Sequence, residues 1–227
     1  MEETIMGAVP SPDKFHRELE DLKARLLKLA HLAEAAIQRS IAAFLDQDRD
    51  LAKEVITGDG AINDLEEAID GECIRLIALF QPVAIDLRQL MAVDHIIAEL
   101  ERVGDLAVNI GEEALTLEPP RPVHGQLSQM AREVIKMLED SLQSFLDRDT
   151  RRARQVCKAD TLVDEMNRDI IQDLVQEMIA ENAAVPRALS QINVVRHLER
   201  VGDHATNIAE QVVYMVEGES VRHRCQG

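Results

Sequence analysis

Leu100-Glu101-Arg102-Val103-Gly104-Asp105 runs on to Ala107, Asn109, Ile110 and Glu112, and Leu198-Glu199-Arg200-Val201-Gly202-Asp203 runs on to Ala205, Asn207, Ile208 and Glu210. One segment is therefore used twice. In an α-helix, positions four apart share a face. Glu101, Asp105 and Asn109 form one oxygen-bearing stripe; Glu199, Asp203 and Asn207 form the other. What those stripes face decides the reading of the rest of the chain.

Working outward, the repeat extends well beyond the motif. Ser40 to Asp48 matches Ser141 to Asp149, and the same spacing pairs Ala52 with Ala153, Val55 with Val156 and Asp59 with Asp160. Apolar residues recur at three- and four-residue spacings through Leu19, Leu22, Leu26, Leu29, Ala33, Ala36, Ile37, Ile41 and Phe44, which predicts a first amphipathic helix capped near Asp13. A second runs from Arg49 to Phe80, interrupted at Thr57-Gly58-Asp59-Gly60, since an interior Gly costs about 1 kcal/mol against Ala. Pro82 suits the first turn of a third, ending near Leu117. Glu118-Pro119-Pro120-Arg121-Pro122 is a linker. Helices follow over 126–146, 150–181 and from Pro186 to Glu217. The fold class is all-α: six long helices in two tandem, pseudo-symmetric three-helix bundles, residues 13–118 and 122–217, between a tail at 1–12 that reads as disordered and a polar tail at 218–227.

Short connections make successive helices antiparallel, so facing residues have numbers that add to a constant. With a turn near Pro82 that constant is about 164, which sets Asp59 level with Asp105 and Asn63 level with Glu101. In the second half Asp160 with Asp203, and Asp164 with Glu199, both add to 363, placing the turn at 181–182. Candidate site one is Asp59, Asn63, Glu101, Asp105 and Asn109; candidate site two is Asp160, Asp164, Glu199, Asp203 and Asn207. Two unit charges ~4 Å apart cost about 4 kcal/mol at an effective dielectric of about 20, so gathered carboxylates need protons, Arg or a cation. An all-oxygen set favours Mg, Mn, Ca or iron over a thiolate zinc site. Arg102 and Arg200 point about 100° away from the Glu they follow and are poorly placed to neutralise it. Site two holds four carboxylates to three at site one and is expected to bind a cation more tightly.

Composition narrows the function. The chain is 46% hydrophobic but 2% aromatic with no Trp, so its core is aliphatic. Twenty-five Lys and Arg against 42 Asp and Glu leave −17, which repels nucleic acid and anionic lipid and suits cations and basic protein patches. Cys73, Cys157 and Cys225 are far apart without a CxxC, which argues for a reducing compartment; no leader or long apolar run is visible, so a cytoplasmic location without membrane insertion is expected. The basic cluster Arg148, Arg151, Arg152, Arg154 and Lys158 reads as a solvated face rather than a docking patch. No His has a Glu three residues before it, as helical di-iron enzymes require, and no GxxxxGK loop is present. His197 and His204 lie off the Glu199–Asp203 face and read as surface or interface residues.

The two LERVGDxAxNIxE segments, the Gln81-Pro82-Val83-Ala84-Ile85-Asp86-Leu87-Arg88 turn and the upstream acids resemble the PhoU family over residues 13–217. The resemblance implies a fold of two three-helix bundles, multinuclear clusters of iron, zinc, manganese or magnesium on the ExxxD stripes, and a homodimer. It further implies a negative regulator of phosphate uptake and of the starvation response, an adaptor between a sensor histidine kinase and the phosphate transporter ATPase, and not an enzyme. Asn63, where the second repeat has Asp164, and the two Gly flanking Asp59 depart from the family pattern. The alternatives are a metal-dependent hydrolase or oxidase in a helical bundle, and a structural bundle without metal.

Overall fold

A computed structural model describes residues 12–116 and 122–219. All of the expected 1–12 tail but Pro12, which opens the first helix, lies outside these residues, as do most of the Pro-rich linker and Cys225 with the end of the polar tail. Helix α1 spans Pro12–Asp46, α2 Arg49–Gly58, α3 Gly60–Phe80, α4 Ala84–Thr116, α5 Leu127–Asp147, α6 Thr150–Ala180 and α7 Val185–Glu217, with a 3-10 turn at Asn182–Ala184. No strand occurs among the described residues, and no helix there is long and apolar enough to cross a membrane.

Local chemistry explains the boundaries. Asp48 and Asp149 cap α2 and α6 in the same way, each side chain accepting from the backbone N–H groups two and three residues on. Each follows a left-handed residue, Gln47 at φ 59° and Arg148 at φ 52°. The glycine-flanked break separates α2 from α3 at Asp59 alone, whose backbone stays right-handed helical (φ −61°, ψ −34°), so the chain keeps a helical conformation across the break. Pro82 does not open α4. It precedes the helix, and the connection is made by Gln81 and Ala84 in left-handed conformations at φ 47° and φ 51°. The second hairpin turns at Glu181–Ala184, where the register places it, and Pro186 falls in the first turn of α7.

The apolar stripe of α1 is buried from Leu19 through Leu22, Leu26, Leu29, Ala33 and Ile37 to Phe44, against α2, α3 and α4. In the second half α5, α6 and α7 pack on one another in the same way. The halves are joined mainly by the helices that carry the repeated motif, α4 against α7, with α1 touching α5. Leu100 and Leu198, Val103 and Val201, and Ala107 and Ala205 are all fully buried, so the motif's apolar positions build the core while its acids stay outside it. Of the thiols, Cys73 is free and buried, while Cys157 is disulfide-bonded. A disulfide at Cys157 runs against the reducing compartment expected from the cysteine spacing.

Candidate metal centre

Asp59 lies beside Gly104 and Asp160 beside Gly202, each next to the acid expected to face it. A Cβ on Gly104 would stand 3.2 Å from Asp59 Oδ1 and 3.0 Å from Ile62 Cδ1, so glycine lets α3 bring its acid against α4 at the level of Asp105. At Gly202 a Cβ would stand 3.7 Å from Asp160 Oδ1, an ordinary contact, so Asp160 sits beside α7 without needing the glycine. Asn63 donates its side-chain N–H to Asp59 Oδ2 at 3.0 Å, one turn along α3. Asp59 Oδ1 is buried without a hydrogen-bond partner.

Charge at site one is partly neutralised from an unexpected direction. Arg102 Nε lies 3.3 Å from Glu101 Oε2, and Arg102 Nη1 lies 3.1 Å from Asp105 Oδ2. The expectation that Arg102 is badly placed is therefore wrong. Its Cβ does point away, but the long side chain lies back along the helix surface, and Asp105 is three residues on. Glu101 is still held above its ordinary value, by burial first and then by Asp105, with Arg102 pulling the other way and Asp59 adding to the rise. At site two, burial and then the charges of Asp164 and Asp160 raise Glu199. Asp203, though it reaches solvent, is pushed up to about 6 by loss of hydration, then by Glu199 and Asp164. These shifts are what an uncompensated carboxylate nest produces.

Asn207 does not turn toward site two. It donates to Glu99 Oε2 of α4 at 3.1 Å, and His204 Nδ1 meets the same oxygen at 2.6 Å. His204 is thus an interface residue tying α7 to α4. Glu99 is held below its ordinary value: burial acts to raise it, but the hydrogen bonds of His204 and Asn207 outweigh that. His197 lies at the pseudo-equivalent of Glu99. Its Nδ1 is buried without a partner, and burial lowers its basicity while Glu113 acts against the fall.

A family model described as the PhoU domain matches residues 26–114 and 127–212. The chain is 40% identical over 213 residues to the phosphate-specific transport system accessory protein PhoU homolog of Aquifex aeolicus, covering 93% of this chain and 96% of that one. It is 36% identical over 212 residues to the PhoU of Escherichia coli, covering 92% and 88%. The chain belongs to the PhoU family. Its fold superposes on the crystal structure of PhoU from Pseudomonas aeruginosa with a TM-score of 0.85 at 36% identity, covering 90% of this chain and 100% of that one. It also matches the phosphate transport system regulatory protein PhoU from Streptococcus pneumoniae, with a TM-score of 0.87 at 29% identity and coverage of 91% and 99%. These PhoU proteins are named as accessory or regulatory proteins, not for a reaction.

Within that family setting, the fit to a cation can be tested on the donors themselves. They are oxygens, they lie level, and Asp59 offers a buried oxygen with nothing bonded to it. These features suit a hard cation. Among the described residues, however, no three His, Cys, Asp or Glu side chains stand close enough to hold one ion. The donors therefore meet in level and chemistry but not in ligand geometry. Sequence reasoning missed Glu99 as the partner of His204 and Asn207, since that contact crosses between repeats. It also missed Asp70 and Asp94, which lie within hydrogen-bond reach of each other. The rule that facing numbers add to 164 would have found that pair.

Proposed function

We propose that this chain is a negative regulator of phosphate uptake and of the phosphate-starvation response, acting as an adaptor between the phosphate transporter ATPase and a sensor histidine kinase. The observation that carries the reading is relatedness over about nine-tenths of the chain to proteins named as accessory to phosphate-specific transport. The strongly acidic surface and the absence of a nucleotide-binding loop from the sequence are compatible with an adaptor rather than a motor.

In this reading, oxygen-ligated cations bind on the carboxylate hairpins. Site one uses Asp59, Asn63, Glu101, Asp105 and Asn109, with Glu101 and Asp105 leaving Arg102; site two uses Asp160, Asp164, Glu199 and Asp203. Asn207 joins site two only through its carbonyl oxygen, because its N–H is committed to Glu99. The work is cytoplasmic, by a homodimer. A pull-down from phosphate-replete cells is expected to recover the transporter ATPase and a histidine kinase; recovery of neither overturns the adaptor. Elemental analysis after purification without chelator is expected to find divalent or trivalent metal, with the share held at site two lost in the double variant Glu199→Gln and Asp203→Asn. Metal-free protein from that buffer overturns the cation sites but not the adaptor.

A further inference from the structure

Helices α3 and α4 pack side by side past site one, and the seam between them, a shallow groove, changes character along its length. On α3 the stripe passes through Glu66 and Asp70 to Ile74, successive positions four apart. On α4 the facing stripe runs from Glu101 through Ala98 and Asp94 toward the turn. Ile74 is 61% exposed and Val83, in the turn, 74%. One end of the groove is thus apolar and the middle acidic. Glu66 and Asp94 are both held above their ordinary values, by burial first and then by neighbouring acids, Asp70 in each case, with His95 acting against the rise at Asp94, so acid outweighs counter-charge in the middle.

The second hairpin supplies an internal control. Its outer face also exposes apolar residues, Val175 at 38% and Ile179 at 72%. At the positions equivalent to Asp70 and Asp94 it has Ile171 and Ile192, and at that of Ala98 it has Arg196, whose charge already acts on Glu199. Exposed apolar surface is common to both hairpins; unmet negative charge beside it belongs to the first. The partner that satisfies both halves of such a groove carries apolar side chains on one helical face and Lys or Arg on its flanks.

We infer that the α3–α4 groove is a docking site for a basic amphipathic helix of a partner protein, with Ile74 and Val83 receiving its apolar side chains and Glu66, Asp70 and Asp94 its cations. This deepens the adaptor reading, on which it rests for the existence of a protein partner. The test uses neither transporter nor kinase, so failure of the groove leaves that reading standing.

The probe is a synthetic helical peptide with Leu along one face and Lys on the flanks, titrated against the full chain at low salt. Asp70→Asn with Asp94→Asn is expected to weaken binding about tenfold, and Ile74→Ser with Val83→Ser by a similar factor. Two control pairs make matched changes on the second hairpin: Glu165→Gln with Asp169→Asn, and Val175→Ser with Ile179→Ser. Each is expected to change binding by less than about twofold. Equal losses from both hairpins would mean attraction to net charge alone and would overturn the groove, as would no binding. Thermal midpoints of all four variants, whose substituted side chains are exposed or half-buried, check that each is folded.

Discussion

Acid runs the length of the first hairpin and stops after one stretch in the second. Asp59, Asn63, Glu66 and Asp70 follow one another along α3; their equivalents on α6 are Asp160, Asp164, Asn167 and Ile171. In the second half Asp160 and Asp164 act on Glu199, and Glu199 and Asp164 act on Asp203, with Arg196 and Arg200 both acting against the rise at Glu199. The first half spreads its charge and recruits Arg102 to Glu101 and Asp105. Two copies of one motif have thus met the same electrostatic problem in different ways. The helix scaffold is what they share, and the charge laid along it is where they differ.

The largest test of that comparison asks whether the halves are independent at all. Leu100 and Leu198 occupy equivalent, fully buried positions on the two helices that join the bundles. Leu→Ala at either is expected to cost ~2–5 kcal/mol. Because α4 and α7 pack on each other, both variants should lower the midpoint of one shared unfolding transition. Two separated transitions in calorimetry, each responding to one variant, would show that the repeats fold as separate domains.

Next come the glycines, where the halves should respond with opposite sign. Gly104→Val must displace Ile62, already at 3.0 Å from the modest Cβ of an alanine, and Asp59 beside it. It is expected to destabilise by ~1–3 kcal/mol. At Gly202 the nearest atom to a Cβ is at 3.6 Å, an ordinary contact. Gly202→Ala should therefore gain helix propensity and stabilise by up to ~1 kcal/mol. Denaturant midpoints of the two variants decide it, and a loss at both positions would place α6 as close to α7 as α3 is to α4.

Much of this was legible in advance. The three- and four-residue spacing of Leu22, Leu26, Leu29 and Ala33 marks α1 because a helix buries one face, and numbers adding to 164 and 363 set Asp59 level with Asp105 and Asp160 level with Asp203, one residue from the Gly104 and Gly202 they approach, because short turns force antiparallel neighbours. What spacing does not carry is the reach of a flexible side chain, which is how Arg102 escaped notice. It is equally silent on contacts between distant repeats. The pairing of Glu99 with His204 joins residues about a hundred apart that no local pattern connects.

That cross-half pair is the third test. Glu99→Gln removes the charge that His204 and Asn207 share and is expected to cost roughly 1–3 kcal/mol at neutral pH. Glu99 is held below its ordinary value of 4.5 in the folded protein. Its contribution is therefore complete above that value and is lost as pH falls through the lower, folded one. Wild type and Glu99→Gln should differ at pH 7 and converge in acid. A difference that persists below the folded value would assign the cost to packing instead.

The smallest expected effect carries the most about the two nests. Asp203 is raised from 3.8 to about 6, so the folded state holds its proton more tightly than the unfolded chain does. That stabilisation is complete below about 3.8 and gone once pH passes about 6, which leaves the ionised group a liability at pH 7 in metal-free protein. Asp203→Asn should therefore raise the midpoint slightly at pH 7 and lose the advantage near pH 4. Asp105→Asn should do the reverse at pH 7, giving up an exposed pair with Arg102 worth ~0–1 kcal/mol. Adding Mn2+ is expected to invert the first result, because a bound cation turns the liability of Asp203 into a ligand bond, and to stabilise wild type over Asp203→Asn. If both substitutions shift stability in the same direction without metal, Arg102 does not separate the two nests and the contrast between them lies elsewhere.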